Sequence, residues 1–317
     1  MTLIALEEHT LPKALMTEAG IDPASLLGSK ASELDDLGEG RLRSMDAAGI
    51  DMQVLSAVGH IIQRFETERS VAASREANDV MSRAVLERPE RFRAFATLPM
   101  SDPQSAAREL RRCVEELGFV GAMIHGQTRG MFLDHPAMHP VLAAAAELQV
   151  PIYLHPAPPP QTVFDAYFLG LNPAAANMLA TGGWGWHAEC GLHALRMVLA
   201  GTFDRHPDLQ VIVGHMGENL PFSLARADEW LTPRAGKLSG SVAEIVRRQV
   251  YITIGGYTTV APLLCALMVF GADRIMFSVD YPFSDNASTA RFLDEAPLSP
   301  ADRDKIAHRN ARRLLKL

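Results

Sequence analysis

The stretch MTLIALEEH, residues 1–9, passes from aliphatic to acidic within a few residues. A short apolar run rich in branched side chains reads as a β-strand, and Glu7, Glu8 and His9 crowd its end. Side chains at i and i+2 share one face of a strand. Glu7 and His9 are therefore expected together, with Glu8 on the opposite face. If Ala5 and Glu7 look into a barrel, Ile4 and Leu6 look toward the surrounding helices. The run has no basic flank and no cleavage site, so a signal peptide is not expected.

Further along, similar short runs alternate with helix-length segments. Expected strands are Leu3–Leu6, Met52–Ser56, Ala94–Leu98, Val120–Ile124, Pro151–Leu154, Gln210–Gly214, Tyr251–Ile254 and Arg274–Val279. Eight strands alternating with helices favour a closed parallel (β/α)8 barrel of the TIM type over an open sheet. No Gly-x-Gly-x-x-Gly turn follows the first strand, as a dinucleotide-binding open sheet would have. Ser101-Asp102-Pro103 opens one helix, which stops at Leu117-Gly118; Ser299-Pro300-Ala301-Asp302 opens the last.

A chain of 317 residues suits one such barrel as a single domain, 1–317. The formal charge of −7 and the scattered basic residues argue against nucleic acid as partner. The longest strongly apolar run, 261–271, is too short to span a bilayer and reads as a buried helix. Three cysteines, far apart and odd in number, argue against a disulfide framework, no Cys-x-x-Cys metal or redox spacing exists, and a cytoplasmic location is the default. Two excursions interrupt the regular spacing. One is 10–40. The other, 157–190, is rich in Pro, Gly and Trp and follows the fifth strand on the active face, as a lid or interface insertion.

Barrel chemistry sits at the C-terminal ends of strands. Those ends carry Glu7-Glu8-His9, His155, His215 and Asp280. By alternation Tyr153 should share a face with His155, Val213 with His215, and Ser278 with Asp280. Glu7, His9, His155 and Asp280 form a mixed oxygen and nitrogen set suited to one divalent cation, Zn²⁺ or Mn²⁺, and too nitrogen-rich for Ca²⁺ or Mg²⁺. In Gly214-His215-Met216-Gly217-Glu218, a histidine ending a strand and a glutamate three residues later, expected at a helix start, suggest an imidazole oriented by a carboxylate.

ALEEH, PIYLHP, VIVGHMGE, FSVDYPF and the closing IAHRNARRLLKL, with ANDVMSRAV, FATLPM, GFVGAMIHG and HALRMVLAGTFDRHPDL, resemble the amidohydrolase-related group that contains γ-resorcylate, 2,3-dihydroxybenzoate and 5-carboxyvanillate decarboxylases. The resemblance spans essentially the whole chain. It implies metal ligation by Glu7, His9, His155 and Asp280, and a catalytic His215 supported by Glu218. It also implies a substrate-carboxylate or Glu218 partner in Arg226, and a homodimer or homotetramer. The first strand has Glu where binuclear members have His, and the fourth lacks their lysine, so a single metal is expected. His125 stands where several decarboxylases have Asn and is a candidate substrate contact, as is Phe283 for the ring. The implied reaction is non-oxidative decarboxylation of a hydroxybenzoate-type acid, with ring protonation by Asp280. The alternatives are a hydrolase, lactonase or hydratase using a metal-bound water, and a non-catalytic barrel that only binds metal or aromatic acid.

Overall fold

The computed structural model describes residues 1–21 and 30–317. Part of the expected excursion 10–40 therefore lies outside the described residues. The strands are β1 (Ile4–Thr10), β2 (Met52–Ala57), β3 (Phe92–Ala94), β4 (Ala96–Thr97), β5 (Ala122–His125), β6 (Ile152–His155), β7 (Val211–Val213), β8 (Val250–Thr253) and β9 (Ile275–Met276). All pairings are parallel, in the orders β1-β2-β3 and β4 to β9. β3 and β4 are one stave interrupted at Phe95, whose N–H donates to Leu55 O at 2.9 Å before Ala96 N–H takes Gly121 O at 2.8 Å. A bridge between Leu6 and Ser278, with Leu6 N–H on Phe277 O at 3.1 Å, closes the ring. The eight expected strands are thus eight staves.

The barrel is filled from inside by large side chains from every stave: Ile4 and Leu6 from the first, then Val54, Phe95, Met123, Tyr153, Ile212, Tyr251 and Met276. A much larger apolar cluster seals the outer surface against the helices and includes Ala5, Leu55, Ala94, Ala122, Val213 and Phe277. Fully burying each aliphatic or aromatic side chain of these layers is worth about 1.5–3 kcal/mol.

These layers correct the assumed facing of β1. Ile4 and Leu6 point into the barrel and Ala5 points out to the helices. Glu7 and His9 still reach the interior because β1 carries a bulge: between Ala5, opposite Gln53, and Glu8, opposite Leu55, it has one residue more than β2. Glu7 takes up the extra residue at φ 71°. A second correction concerns β7, where Ile212 is the inward residue and Val213 packs outside.

Helix starts agree with the expected caps. Asp102 accepts from Gln104 N and Ser105 N ahead of helix Pro103–Glu115, and Ser299 accepts from Asp302 N. The apolar helix Val260–Phe270 differs from expectation. Leu263, Ala266 and Phe270 are buried, whereas Val260, Leu264 and Met268 are exposed. It lies on the barrel's outside with one face uncovered, so it is not the buried helix expected from composition. No helix among the described residues is long and apolar enough to cross a membrane.

Candidate metal centre and active site

β1 runs on through Thr10, so Glu7 and His9 lie within the strand rather than beyond it. Across the barrel mouth, His9 Nε2 lies 3.2 Å from Asp280 Oδ1, and His155 Nε2 lies 3.5 Å from Glu7 Oε1. His215 Nε2 is 3.6 Å from Asp280 Oδ2. Glu7, His155, His215 and Asp280 each offer a ligand atom within 4.8 Å of the others. All of them are buried apart from Asp280, which reaches the cavity.

Each group is held in one orientation. Tyr153 and Thr253 hydroxyls donate to Glu7 Oε2, while Glu7 Oε1 is buried with no hydrogen-bond partner among the described residues. His155 Nδ1 lies 2.7 Å from Pro156 O, which only accepts, so its proton sits on Nδ1 and Nε2 faces the cluster with a free lone pair. His9 Nδ1 meets Ser56 Oγ at 3.2 Å, turning Nε2 inward. Burial lifts the Glu7 carboxyl above its ordinary range, and it pushes His155 far below its own, toward the neutral imidazole a metal needs. An orphaned carboxylate oxygen facing oriented imidazole nitrogens and a second carboxylate fits a divalent cation of borderline character.

Glu8 points the other way, as expected. It accepts from Val279 N at 2.9 Å and Gln53 Nε2 at 3.2 Å, and its charge lies near the buried Arg41. It ties β1 to β2 and to the segment after β9.

His215 sits on an unusual turn. Residues 215–219 all have positive φ: His215 47°, Met216 55°, Gly217 83°, Glu218 52° and Asn219 67°. For the non-glycine members this conformation costs on the order of 1–3 kcal/mol each, so surrounding contacts must hold it. The turn folds Glu218 back, and Glu218 Oε1 meets His215 Nδ1 at 2.6 Å. The orienting pair expected from the sequence is present, although Glu218 lies in the turn ahead of helix Leu220–Leu231 and not at a helix start. Burial works against charging His215, yet the Glu7 and Glu218 carboxylates outweigh it and raise its pKa well above the usual histidine value. Burial also works against ionising Asp280, yet hydrogen bonds from His215 and His9 keep its carboxyl well below the usual range.

A cavity of about 410 Å³ opens over these groups, lined by His9, His155, His215, Asp280, Tyr257 and Phe283 among others. That size falls within the ~300–1,000 Å³ range of small-molecule sites. Phe283 stands at its edge, with its ring 5.7 Å from that of His9.

Two expected contacts are placed elsewhere. Arg226 projects from the outer face of helix Leu220–Leu231, 68% exposed, pairing with Glu229 at 3.3 Å and lying over the Trp230 ring. Within one chain it does not reach Glu218, whose two oxygens are taken by histidines. His125, at the end of β5, is buried and is not among the residues lining that cavity. Its ring lies 4.4 Å from His155, it offers a ring nitrogen within 4.8 Å of those of His9 and His155, and neither of its nitrogens has a hydrogen-bond partner among the described residues.

Sequence reasoning missed His187. It belongs to helix Gly185–Leu199, at the end of the 157–190 insertion, and its Nδ1 lies 2.6 Å from Glu218 Oε2. Met178, Thr181, Gly182 and Trp186 from the same insertion wall the cavity. A histidine following Gly-Trp-Gly-Trp has no motif spacing, and only its place after the fifth stave marked it.

Comparison with known proteins identifies the family. The amidohydrolase family model Amidohydro_2 matches residues 28–317. γ-Resorcylate decarboxylase from Rhodococcus jostii RHA1 is 36% identical over 332 residues, covering 99% of this chain and 98% of that protein. The crystal structure of 2,6-dihydroxybenzoate decarboxylase complexed with 2,6-dihydroxybenzoate superposes with a TM-score of 0.88 at 35% identity, covering 100% of both chains. The dihydroxybenzoic acid decarboxylase of Polaromonas sp. JS666, with bound manganese and the inhibitor 2-nitroresorcinol, gives 0.88 at 36% identity, covering 100% of this chain and 97% of the other. By the extent of these matches, the chain belongs to the amidohydrolase family.

Proposed function

We propose that this chain is a non-oxidative decarboxylase of a hydroxybenzoate-type aromatic acid, dependent on one divalent cation, Mn²⁺ or Zn²⁺. Glu7, His9, His155 and Asp280 are the ligands. The observation that carries the reading is the buried, partnerless Oε1 of Glu7, facing oriented nitrogens in a chain alike over its full length to γ-resorcylate decarboxylases. A cation held by these residues would supply Lewis-acid chemistry toward the oxygens of the acid.

The chain's own residues do the rest. Phe283 and Trp186 wall the ring and exclude water from its faces. Asp280 delivers a proton to the ring carbon that bears the carboxylate. The bond from that carbon to the carboxylate then breaks, its electron pair restores aromaticity, and CO₂ leaves. Asp280 is ionised at rest, so the proton comes from His215, 3.6 Å away through Nε2 and held by Glu218 on Nδ1. Purified protein loaded with Mn²⁺ and offered a panel of hydroxybenzoates should release CO₂ from those with a hydroxyl ortho to the carboxylate. Turnover of lactones alone would reverse the assignment.

The same reading includes a cytoplasmic homodimer or homotetramer with no membrane or nucleic-acid partner. Apolar side chains left exposed on the insertion (Tyr167, Leu169, Trp184) and on the neighbouring outer helices (Phe222, Met268) support self-association. Sedimentation at micromolar concentration tests it.

A further inference from the structure

We propose that His187, carried in by the insertion after β6, is a positioning residue that sets the orientation and tautomer of His215 by clamping Glu218 from the far side. The inference rests on the decarboxylase reading for its kinetic consequence, though not for its geometry.

Glu218 is a buried carboxylate with one imidazole on each oxygen. His215 Nδ1 is 2.6 Å from Oε1 and His187 Nδ1 is 2.6 Å from Oε2. A carboxylate with only one oxygen engaged can rotate about its last torsion and release His215. Held at both ends, it cannot. Because a carboxylate accepts, both Nδ1 atoms carry their protons, and His215 Nε2 is left as the nitrogen that faces Asp280.

The other side of His187 is fixed too. Its Nε2 lies 3.1 Å from the Gly182 carbonyl and 3.1 Å from the Trp186 indole N–H. The carbonyl needs a proton on Nε2 and the indole needs a lone pair, so one partner is served at a time. Either way Nδ1–H remains on Glu218.

The backbone gives a second, separate contact between the same two elements. Gly191 lies four residues after His187, on the same face of helix Gly185–Leu199, and a Cβ there would stand 2.4 Å from the Glu218 carbonyl oxygen. The helix thus presses on the left-handed 215–219 turn at two points, a side chain on the Glu218 carboxylate and bare backbone against its carbonyl. This gives the insertion a role beyond covering the cavity: it buttresses the strained turn that presents His215.

The test compares His187→Asn with His187→Gln in the Mn²⁺-loaded enzyme. The Asn amide nitrogen takes the place of Nδ1 and keeps the donor to Glu218. The Gln amide reaches the Nε2 position, fills the volume, and leaves Glu218 Oε2 bare. For an outer partner of this kind, kcat for Gln should fall about tenfold to a hundredfold. KM and bound Mn²⁺ per chain should stay near wild type, and Asn should restore most of the loss. Equal kcat in the two variants, or a loss that tracks lost Mn²⁺, would overturn the proposal. A readout independent of turnover is nitrogen-15 NMR of histidine-labelled, Zn²⁺-loaded protein. The His215 Nδ1 proton should persist in wild type and Asn and be lost to exchange in Gln. If wild type decarboxylates nothing, this signal alone decides the proposal, and an unchanged signal in Gln refutes it.

Discussion

Tyr153 gives its hydroxyl proton to Glu7 Oε2, and so divides the work of one carboxylate between its two oxygens. Oε2 is tied to the barrel wall by Tyr153 and Thr253, and Oε1 is left bare toward His155 and His215. Tyr153 is the inward side chain of its stave two positions before His155, so β6 supplies both a ligand candidate and the group that aims another. Preorganisation of this kind lowers the cost of gathering like charges around a cation.

Removing that hydroxyl should loosen Glu7 without emptying the barrel. Tyr153→Phe keeps the ring that packs against Phe95. Mn²⁺ affinity should fall about 10- to 100-fold, the range for lost outer partners of metal ligands, while kcat at saturating Mn²⁺ stays within a few-fold. Calorimetric titration of metal into the apo protein measures it. Unchanged affinity would mean that Oε2 needs no anchor.

Much of this centre was legible because barrel geometry and ligand chemistry constrain the same positions. The apolar runs before Glu7, His155 and Asp280 marked the staves, and the stave ends marked the mouth. What alternation could not supply was the bulge. Strict period-2 reading put Ala5 inside and Leu6 outside, and the opposite holds, yet Glu7 was placed correctly because the extra residue resets the count just before it. At β7 the reading erred with Val213, while His215 came inward through its left-handed φ. Such local conformations depend on tertiary contacts that a single sequence does not display. Arg226 and His187 make the same point in opposite directions: within one chain the first, marked by its motif, lies on the outer face of its helix, and the second, with no motif, grips Glu218.

Metal removal should abolish the reaction reversibly. After chelation, CO₂ release should vanish and return on adding Mn²⁺. Thermal stability should move with it, because relieving the partnerless Glu7 oxygen favours the folded state. A cation at a hundred times its dissociation constant adds about 2.7 kcal/mol. A chelated sample that retains both turnover and melting temperature would remove the metal from the scheme.

Asp280→Asn keeps an oxygen near the metal position but cannot hand a proton to carbon. General-acid loss is worth about 10²–10⁴ in rate, so kcat should fall by that order. Binding of a product-like dihydroxybenzene, followed by fluorescence or calorimetry, should survive. A variant with near-normal turnover would show that His215 protonates the ring directly.

His193 supplies a pH prediction away from the metal. Its Nε2 accepts from Leu133 N at 2.7 Å, and burial pushes its pKa from 6.5 down to about 3. The folded state binds this proton less readily than the unfolded state. The contribution is therefore fully present above the unfolded value of 6.5 and is lost as pH falls toward 3. In that window this one site removes at most about 1.4 kcal/mol per pH unit. Urea midpoints at pH 7 and pH 5 should drop more for wild type than for His193→Gln, whose amide oxygen can still accept from Leu133. Parallel drops would place the acid sensitivity elsewhere.

Gly214→Ala isolates crowding at the metal centre from backbone strain. Gly214 has φ −70°, which any residue tolerates, so a methyl group there tests space alone. That methyl would stand 2.7 Å from Glu7 Oε1, 3.0 Å from Oε2 and 3.1 Å from the Tyr153 hydroxyl. None of these atoms can retreat cheaply: Oε2 is tied by two hydroxyls, and Oε1 is the oxygen meant to stay bare. The carboxylate must rotate away, breaking the Tyr153 bond and turning its free oxygen from His155. Overpacking in a tight interior costs about 1–3 kcal/mol, so the variant should melt lower while remaining folded. Its Mn²⁺ affinity should fall by at least the tenfold expected for Tyr153→Phe, since the same anchor is lost and the other oxygen is displaced as well. An alanine variant that binds Mn²⁺ like wild type would show that Glu7 has room to move, and the partnerless oxygen could then no longer be read as aimed at a cation.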